Sequence, residues 1–323
     1  MILEMAPMEG ITTYIYRNAV NRYFGGIDTY FSPFISVHQN KSLNFKEIND
    51  LKPENNKDIT LIPQVMASNV EDFLNTGKQI IEMGYDHINF NFGCPSGTVT
   101  TKGKGAGVLL FPDELEKFLD GVFEKTNIKI SVKTRIGYTD PSEWEAILNV
   151  YKKFPLEELI IHGRVREEFY KGTSRMELVV DSVAELCEKM KVSYNGDIFS
   201  LTDYERLFNR CPKLYACMLG RGIISNPALA KNIRGSEKSI FDGDKIINIE
   251  DFKKFNIEVM TEYEKIMSGN KNSLFRIKEL WFYMSQIFTN PEKTLKKIQK
   301  CKTLREYEML VLSMTQDEIV SYF

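Results

Sequence analysis

Signals for strands and helices alternate from the start of the chain to about residue 230. Short runs of strand-forming residues are separated by stretches in which apolar residues recur at helical spacing. The eight strand candidates are residues 2–5, 29–34, 60–66, 87–92, 129–134, 158–162, 192–194 and 215–219. Eight strands with intervening helices predict the α/β class and a closed parallel (β/α)8 TIM barrel rather than an open sheet.

The pattern changes after residue 235. Residues 236–244 are polar and charged, which is typical of a linker. From residue 249 onward apolar residues recur at helical spacing without strand signals, as in Phe252, Phe255 and Val259. The sequence therefore predicts two domains, a catalytic barrel at 1–235 and a C-terminal all-helical domain of about four helices at 236–323.

Composition narrows the class of protein. The formal net charge is −2, so RNA binding would have to come from local basic patches rather than from the whole chain. The five cysteines include no C-x-x-C pair, which argues against a zinc site and a disulfide framework and suits a reducing compartment. No signal peptide and no apolar run near the ~20 residues of a membrane span are visible. We expect a cytoplasmic monomer that binds neither a metal nor a membrane.

The most informative stretch lies at residues 89–110. Residues 87–92 alternate polar and apolar, and Gly93 and Pro95 then stop the strand. Cys94 therefore falls just beyond the C-terminal end of a strand, where parallel barrels keep their chemistry. The glycine-rich loop that follows can lie against a planar ligand. Cys94 is either a small buried apolar residue, which is common for a free cysteine, or a thiol presented to a substrate.

The order Asn-Phe-Asn-Phe-Gly-Cys-Pro at 89–95, followed by Val99, Gly103, Gly105, Ala106, Leu109 and Leu110, resembles the active-site signature of the tRNA-dihydrouridine synthases. The resemblance implies an FMN enzyme that reduces a uridine of tRNA to 5,6-dihydrouridine, with NADPH (or NADH) as electron donor. In that chemistry the reduced flavin passes a hydride to C6 of the uracil, and the Cys94 thiol protonates C5 from the other face. The base must first leave its stack.

Other strand ends supply candidate contacts to the flavin. By the resemblance, Ala6, Pro7 and Met8 after the first strand lie against the isoalloxazine. Gln64 in the third strand could pair with the pyrimidine edge of the flavin, which offers both donors and acceptors. Lys133 sits in an apolar strand, where an inward-facing lysine is costly unless it meets an anion or an acceptor. We expect it to face the N1–C2=O locus, which becomes anionic on reduction.

The last three strands end in residues suited to binding an anion. His162 ends an Ile-Ile strand and is followed by two arginines, so we interpret it as a ligand of FMN or of a nucleotide phosphate. Glycine-rich turns after the seventh and eighth strands commonly form a phosphate cup in such barrels. We assign that cup to Asn195, Gly196, Asp197, Gly220 and Arg221.

Candidate contacts to the substrate come from both parts of the chain. Asn91 is predicted to hold the uracil, and the remaining barrel candidates are Arg135, Arg164 and Arg166. In the tail, one helical face is formed at i, i+3, i+4 and i+7 by Lys293, Lys296, Lys297 and Lys300. That face is either plain solvated surface or a contact to the tRNA backbone. The polyanionic substrate implied for the barrel favours the second interpretation.

Two other functions remain open at this stage. One is an FMN barrel oxidoreductase that acts on a free pyrimidine, in the manner of dihydroorotate dehydrogenase. The other is a tRNA-binding chaperone whose barrel has lost its activity. A basic tail argues against the first, and the presence of Cys94, Lys133 and His162 together argues against the second.

Overall fold

A computed structural model of the protein describes residues 1–37, 42–237 and 246–320. Within those residues the sheet contains ten strand segments: β1 Ile2–Met5, β2 Thr29–Phe31, β3 Ile35–Ser36, β4 Leu61–Ile62, β5 Gln64–Met66, β6 His87–Phe92, β7 Lys129–Arg135, β8 Glu158–His162, β9 Lys191–Asn195 and β10 Ala216–Leu219. All the pairings between them are parallel.

The ten segments form the eight predicted strands, two of which are split. β1 pairs with both β10 and β2, and the ring continues from β2 to β4 and from β5 to β6. β4 and β5 are successive pieces of the predicted strand 60–66, interrupted at Pro63. The predicted strand 29–34 ends at Phe31 as β2, and β3 follows Pro33 just beyond the predicted end. Proline has no backbone N–H to give to a ladder. The predicted TIM barrel is confirmed.

Helices cover the outside of the barrel and its C-terminal side. Their bounds are α1 Tyr14–Tyr23, α2 Phe45–Leu51, α3 Val70–Glu82, α4 Gly97–Thr100, α5 Pro112–Lys125, α6 Trp144–Tyr151, α7 Met176–Leu186, α8 Leu201–Arg210, α9 Arg221–Ser225, α10 Leu229–Glu237, α11 Ile249–Ile266, α12 Asn270–Met284, α13 Pro291–Lys300 and α14 Leu304–Leu312. Several begin at residues that favour a helix start. The Asn69 side chain accepts from the N–H of Asp72 at 3.1 Å, and Pro112 opens α5.

Strand β6 shows how the local pattern positions the site. Phe90 and Phe92 stack with ring centroids 5.3 Å apart and pack edge-on against Phe118 of α5. Successive side chains of a strand point to opposite faces, so Asn89 and Asn91 point into the barrel. Their burial there is costly unless their amides are hydrogen-bonded.

The four tail helices α11 to α14 pack on the barrel and on one another. Tyr16 of α1 meets Phe255 of α11 edge to face at 5.6 Å, and the Thr13 hydroxyl lies 3.0 Å from that of Tyr263. The number of tail helices agrees with the sequence. The predicted boundary at 235/236 falls near the end of α10, and most of the predicted linker lies outside the described residues. The division into two domains stays a prediction. No helix in the described ranges is long and apolar enough to cross a membrane.

Two buried carboxyls lie within the barrel. Glu4 of β1 and Glu158 of β8 are 1% and 3% exposed, and the Ser193 hydroxyl donates to Glu158. Burial raises the pKa of Glu158 to about 7. Burial, followed by the charge of Glu158, raises the pKa of Glu4 well above its ordinary value. Each carboxyl therefore holds its proton more tightly in the folded protein than in the unfolded chain.

We expect Glu4→Gln to stabilise the protein at pH 8 and to change little near pH 4. Because the pKa of Glu4 is raised in the folded state, its contribution to stability is present at low pH and is lost as pH rises from the unfolded value near 4.5 through the folded pKa. Glutamine keeps the shape without the charge, so the stability of the variant relative to the wild type should rise as the pH rises to 8. Thermal unfolding from pH 4 to 8 measures it, with the exposed Glu124→Gln as the matched control. A destabilised Glu4→Gln protein at pH 8 would contradict the expectation.

Candidate active site

A cavity of about 300 Å³ opens at the C-terminal end of the barrel strands. Thirteen of the residues that line it are ones the sequence singles out: Ala6, Pro7, Met8, Asn91, Cys94, Lys133, Arg135, His162, Asn195, Gly196, Asp197, Gly220 and Arg221. The remaining lining residues are Glu9, Ile11, Phe34, Gly93, Pro95, Tyr170 and Tyr283. Seven predicted residues do not line the cavity, namely Gln64, Arg164 and Arg166 of the barrel and Lys293, Lys296, Lys297 and Lys300 of α13.

Backbone hydrogen bonds fix the turn that carries Cys94. The Asn91 side-chain oxygen accepts from the N–H of Gly93 at 3.1 Å and from that of Cys94 at 2.9 Å. The Cys94 carbonyl accepts from the N–H of Ala106 in the glycine-rich loop at 3.0 Å. Gly105 must be glycine here, because its φ is +55° and a Cβ would lie 2.9 Å from the Cys94 carbonyl oxygen. The loop thus closes tightly over the cysteine.

Burial determines the protonation state of the Cys94 thiol. Desolvation raises the pKa of the thiol above its ordinary value, more than the positive charges of Arg135 and Lys133 lower it. The thiol is therefore protonated at neutral pH. A protonated thiol beside a cavity is suited to act as an acid, whereas a nucleophilic cysteine needs a lowered pKa.

Three amide side chains form a hydrogen-bonded row under the cavity. Asn91 donates to the side-chain oxygen of Gln64 at 2.8 Å, and Gln64 donates to that of Asn89 at 2.8 Å. Asn89 in turn donates to the Ser131 hydroxyl at 2.8 Å. Gln64 is fully buried and contacts the cavity only through Asn91. Its predicted pairing with a flavin stays a prediction, and its observed partners orient Asn91.

Lys133 reaches the cavity from a position near the C-terminal end of β7. Burial and the nearby Arg135 lower the pKa of the Lys133 amine to about 7. Among the described residues, no carboxylate or hydrogen-bond acceptor is paired with its amine. A desolvated amine without a partner is costly, so the position suits an anionic ligand in the cavity.

The three candidate arginines of the barrel hold loops together. Arg135 donates to the carbonyls of Gly93, Val165 and Phe169, each at 2.9 Å. Arg135 also lines the cavity, as the sequence led us to expect of a substrate contact. Three N–H groups of its guanidinium are therefore already hydrogen-bonded to backbone carbonyls, one of them that of Gly93 beside Cys94.

Arg164 and Arg166 lie outside the cavity lining. Arg164 is buried and forms an ion pair with Asp197, with one contact at 3.0 Å. Arg166 donates to the carbonyl of Pro95 at 3.0 Å, next to the Cys94 turn. Both side chains hold loops at the cavity in place. A direct contact with the substrate stays a prediction for each of them.

The predicted phosphate cup is built around an ion-paired aspartate. Asp197 accepts from Arg164 and from Arg221, the latter at 2.6 Å. Asn195 donates to the Met218 carbonyl at 2.9 Å and so ties β9 to β10. Gly196 must lack a side chain, because a Cβ would lie 2.0 Å from the Tyr194 hydroxyl. These residues lie together at the cavity wall, with Gly220 beside them.

The surroundings of His162 show that this part of the cavity is positively charged. Burial lowers the pKa of His162 well below its ordinary value, and four cations lower it further, namely Arg135, Lys133, Arg164 and Arg221. The imidazole is therefore neutral at pH 7. The cluster of positive charge around it favours an anionic ligand, and the residues present thus fit a phosphate-bearing cofactor.

Two tyrosines at the mouth of the cavity were not among the predicted site residues. Tyr170 is half exposed, with its ring 4.9 Å from the Arg221 guanidinium carbon and 5.7 Å from that of Arg135. The motif Tyr-Lys-Gly at 170–172 is a signal that could have found it. Tyr283 comes from α12 of the tail, and no sequence signal points to it.

The predicted lysine face lies on α13. Thr294 and Ile298 of this helix are buried, and the four lysines at 293, 296, 297 and 300 are exposed on the other side. Only Lys297 comes near an acid in the described residues, 4.0 Å from Glu318. The face is free to meet a polyanion, and contact with tRNA stays a prediction.

Comparison with known proteins identifies the family. The family described as Dihydrouridine synthase (Dus) matches residues 4–320. A "Probable tRNA-dihydrouridine synthase" of Staphylococcus aureus (strain COL) is 27% identical over 276 residues, which cover 81% of this chain and 78% of that protein. A "tRNA-dihydrouridine(16) synthase" of Neisseria meningitidis is 25% identical over 333 residues, 98% of this chain and 95% of that protein. The resemblance that the motif at 89–110 suggests is therefore confirmed: this chain belongs to the dihydrouridine synthase family of flavin-dependent oxidoreductases.

Proposed function

We propose that the protein is an FMN-dependent tRNA-dihydrouridine synthase that uses NADPH to reduce one uridine of tRNA. The observation that carries the proposal is the presence of a protonated thiol and an unpaired lysine in one cavity, at Cys94 and Lys133. Reduction of a uracil ring needs an acid for the proton and a cationic site for the cofactor.

The cofactor is assigned to the wall formed by the first, seventh and eighth strands. Ala6, Pro7 and Met8 would contact the ring system, and the turns at 195–197 and 220–221 would hold the phosphate. When bound and reduced, the flavin supplies the hydride that adds to C6 of the uracil. Lys133 would hold its amine toward the ring atoms that become negative.

Cys94 supplies the proton. Hydride addition at C6 builds negative charge at C5 and O4, and an acid within hydrogen-bond reach must neutralise it. The raised pKa of the thiol keeps it protonated at neutral pH. The Asn91 amide holds the Cys94 turn through its oxygen and has one N–H left after its bond to Gln64. That N–H is our candidate contact to a uracil carbonyl.

The two alternative functions are less well supported. An enzyme for free pyrimidines has no need of an exposed lysine helix, and the relatives are named for a reaction on tRNA. A silent chaperone has no need of an unpaired lysine in a cavity beside a tightly held cysteine.

The function can be tested with the purified protein and with tRNA from a strain that lacks it. We expect the protein to carry FMN, identified by its mass and absorbance, and to form dihydrouridine in that tRNA when NADPH is added. Mapping the modified position shows which uridine is reduced. A protein that neither carries nor accepts FMN, or that leaves the tRNA unchanged, would overturn the proposal.

Reversing two charges on the lysine face should weaken the use of tRNA. Lys296→Glu with Lys297→Glu removes two cations that can release counterions from the RNA backbone. We expect a higher KM for tRNA and a flatter dependence of KM on salt concentration. The matched control is Lys189→Glu with Lys213→Glu, two exposed lysines that precede β9 and β10 at the opposite end of the barrel. If the two double variants show the same KM for tRNA and the same salt dependence, the α13 face does not contact tRNA.

A further inference from the structure

Helix α12 exposes two phenylalanines on one stripe. Phe275 is 66% exposed and Phe282 is 58% exposed. They are seven residues apart, which places them on one line along a helix of 3.6 residues per turn. The opposite side of the helix is buried, with Ile277 and Trp281 in the core of the tail. The two rings therefore stay at the surface as long as α12 keeps its packing.

The stripe adjoins the mouth of the catalytic cavity. Each phenylalanine is followed by a residue that touches the barrel, about 100° further round the helix. Arg276 donates to the carbonyl of Gly10 at 3.0 Å, in the loop after β1. Tyr283 lines the cavity itself.

On its other flank the stripe adjoins the lysine face. Lys278 lies about 60° back round the helix from Phe275 and donates to the carbonyls of Gln299 at 2.9 Å and Cys301 at 2.6 Å. These two carbonyls are at the C-terminal end of α13, so the same side chain that borders the stripe binds the end of the lysine helix. One continuous surface thus extends from the mouth of the cavity, across the two exposed rings of α12, to the lysine face of α13.

We propose that Phe275 and Phe282 stack on unpaired bases of tRNA that neighbour the target uridine. The inference rests on the proposed function, and it assigns a second role to α12 besides closing the cavity. A uridine that leaves its stack exposes the faces of its neighbours. Aromatic side chains beside basic groups are the usual means of binding such bases, and every base offers a ring face.

The position of the stripe favours RNA over a protein partner. It is continuous with the cavity that takes the substrate and with a row of exposed cations that suits phosphate. A backbone that lies along α13 and places one base in the cavity would cross the two rings. A protein partner on this face would instead compete with the substrate.

The test uses Phe275→Ala, Phe282→Ala and the double variant. We expect each single change to raise the KM and the Kd for tRNA about tenfold, and the double change to raise both about 100-fold. The substitutions lie at the surface, so thermal unfolding should be unchanged. Phe208→Ala on α8, an exposed phenylalanine on the outside of the barrel, is the matched control and should leave KM and Kd as they are.

Conservative variants separate stacking from simple apolar contact. Phe282→Trp should keep the affinity for tRNA, whereas Phe282→Leu should lose it, because leucine has no ring face. Unchanged KM and Kd in the double alanine variant would overturn the proposal. So would full affinity in Phe282→Leu, which points to simple apolar contact, or a change of oligomeric state in sedimentation, which points to a protein interface. Failure of the wild type to reduce tRNA would overturn the proposed function instead, and the Kd measurements would still decide the stacking.

Discussion

Replacing Cys94 with alanine should lower the rate of uridine reduction by a factor of about 10²–10⁴, which is the usual contribution of a positioned acid. The loss should appear in kcat for tRNA. Reduction of the bound flavin by NADPH should continue, because no proton from Cys94 is needed there. Single-turnover kinetics that separate the two half-reactions measure both quantities.

The control and the pH dependence make this test specific. Cys187→Ala changes a half-buried cysteine after α7, at the other end of the barrel, and should have no effect on either half-reaction. Because burial raises the pKa of the Cys94 thiol, the rate of uridine reduction should be level across neutral pH and fall only in the alkaline range. Near-normal turnover by Cys94→Ala would show that Cys94 only packs against the loop.

Lys133→Met should weaken FMN binding or slow flavin reduction by about 10²–10³-fold, as expected when a charged donor to a developing anion is removed. The pKa of the amine is lowered to about 7, so the protonated form is lost as pH rises through that range. Wild-type affinity for FMN should therefore fall between pH 7 and 9. The methionine variant should lose this dependence. Fluorescence titration of the apoprotein with FMN at several pH values measures it.

A lysine on the same strand provides the control for this second test. Lys129 begins β7, is exposed at the opposite end of the barrel and pairs with Asp86 at 2.7 Å. Lys129→Met should keep both the affinity for FMN and its pH dependence. If Lys133→Met behaves like Lys129→Met, the amine of Lys133 does not face the cofactor.

Much of the fold could be predicted from the sequence, because the patterns that specify strands and helix starts are local. The alternation in β6 separates Phe90 and Phe92, which pack on α5, from Asn89 and Asn91, which enter the barrel. Caps such as Asn69 and breaks such as Pro63 act within a few residues of their own position. The motif around Cys94 likewise fixed its place at the end of a strand.

The site could be predicted only where a residue lies at or near the C-terminal end of a barrel strand. Parallel strands bring their C-terminal ends to one place, so Cys94, Lys133 and His162 share a cavity, as the sequence indicates. The same argument cannot say which way a side chain turns after the strand. Arg164 and Arg166 stay outside the lining and bind two lining residues, Asp197 and Pro95, from behind.

The sequence by itself determined the barrel, the number of tail helices and the strand ends that face a ligand, because spacing of two or 3.6 residues is a property of the local backbone. Only the tertiary structure decided that Gln64 orients Asn91 and that Tyr283 reaches the cavity from the tail. These contacts join residues that are far apart in the chain. Their geometry depends on how whole elements pack against one another, which no local pattern records.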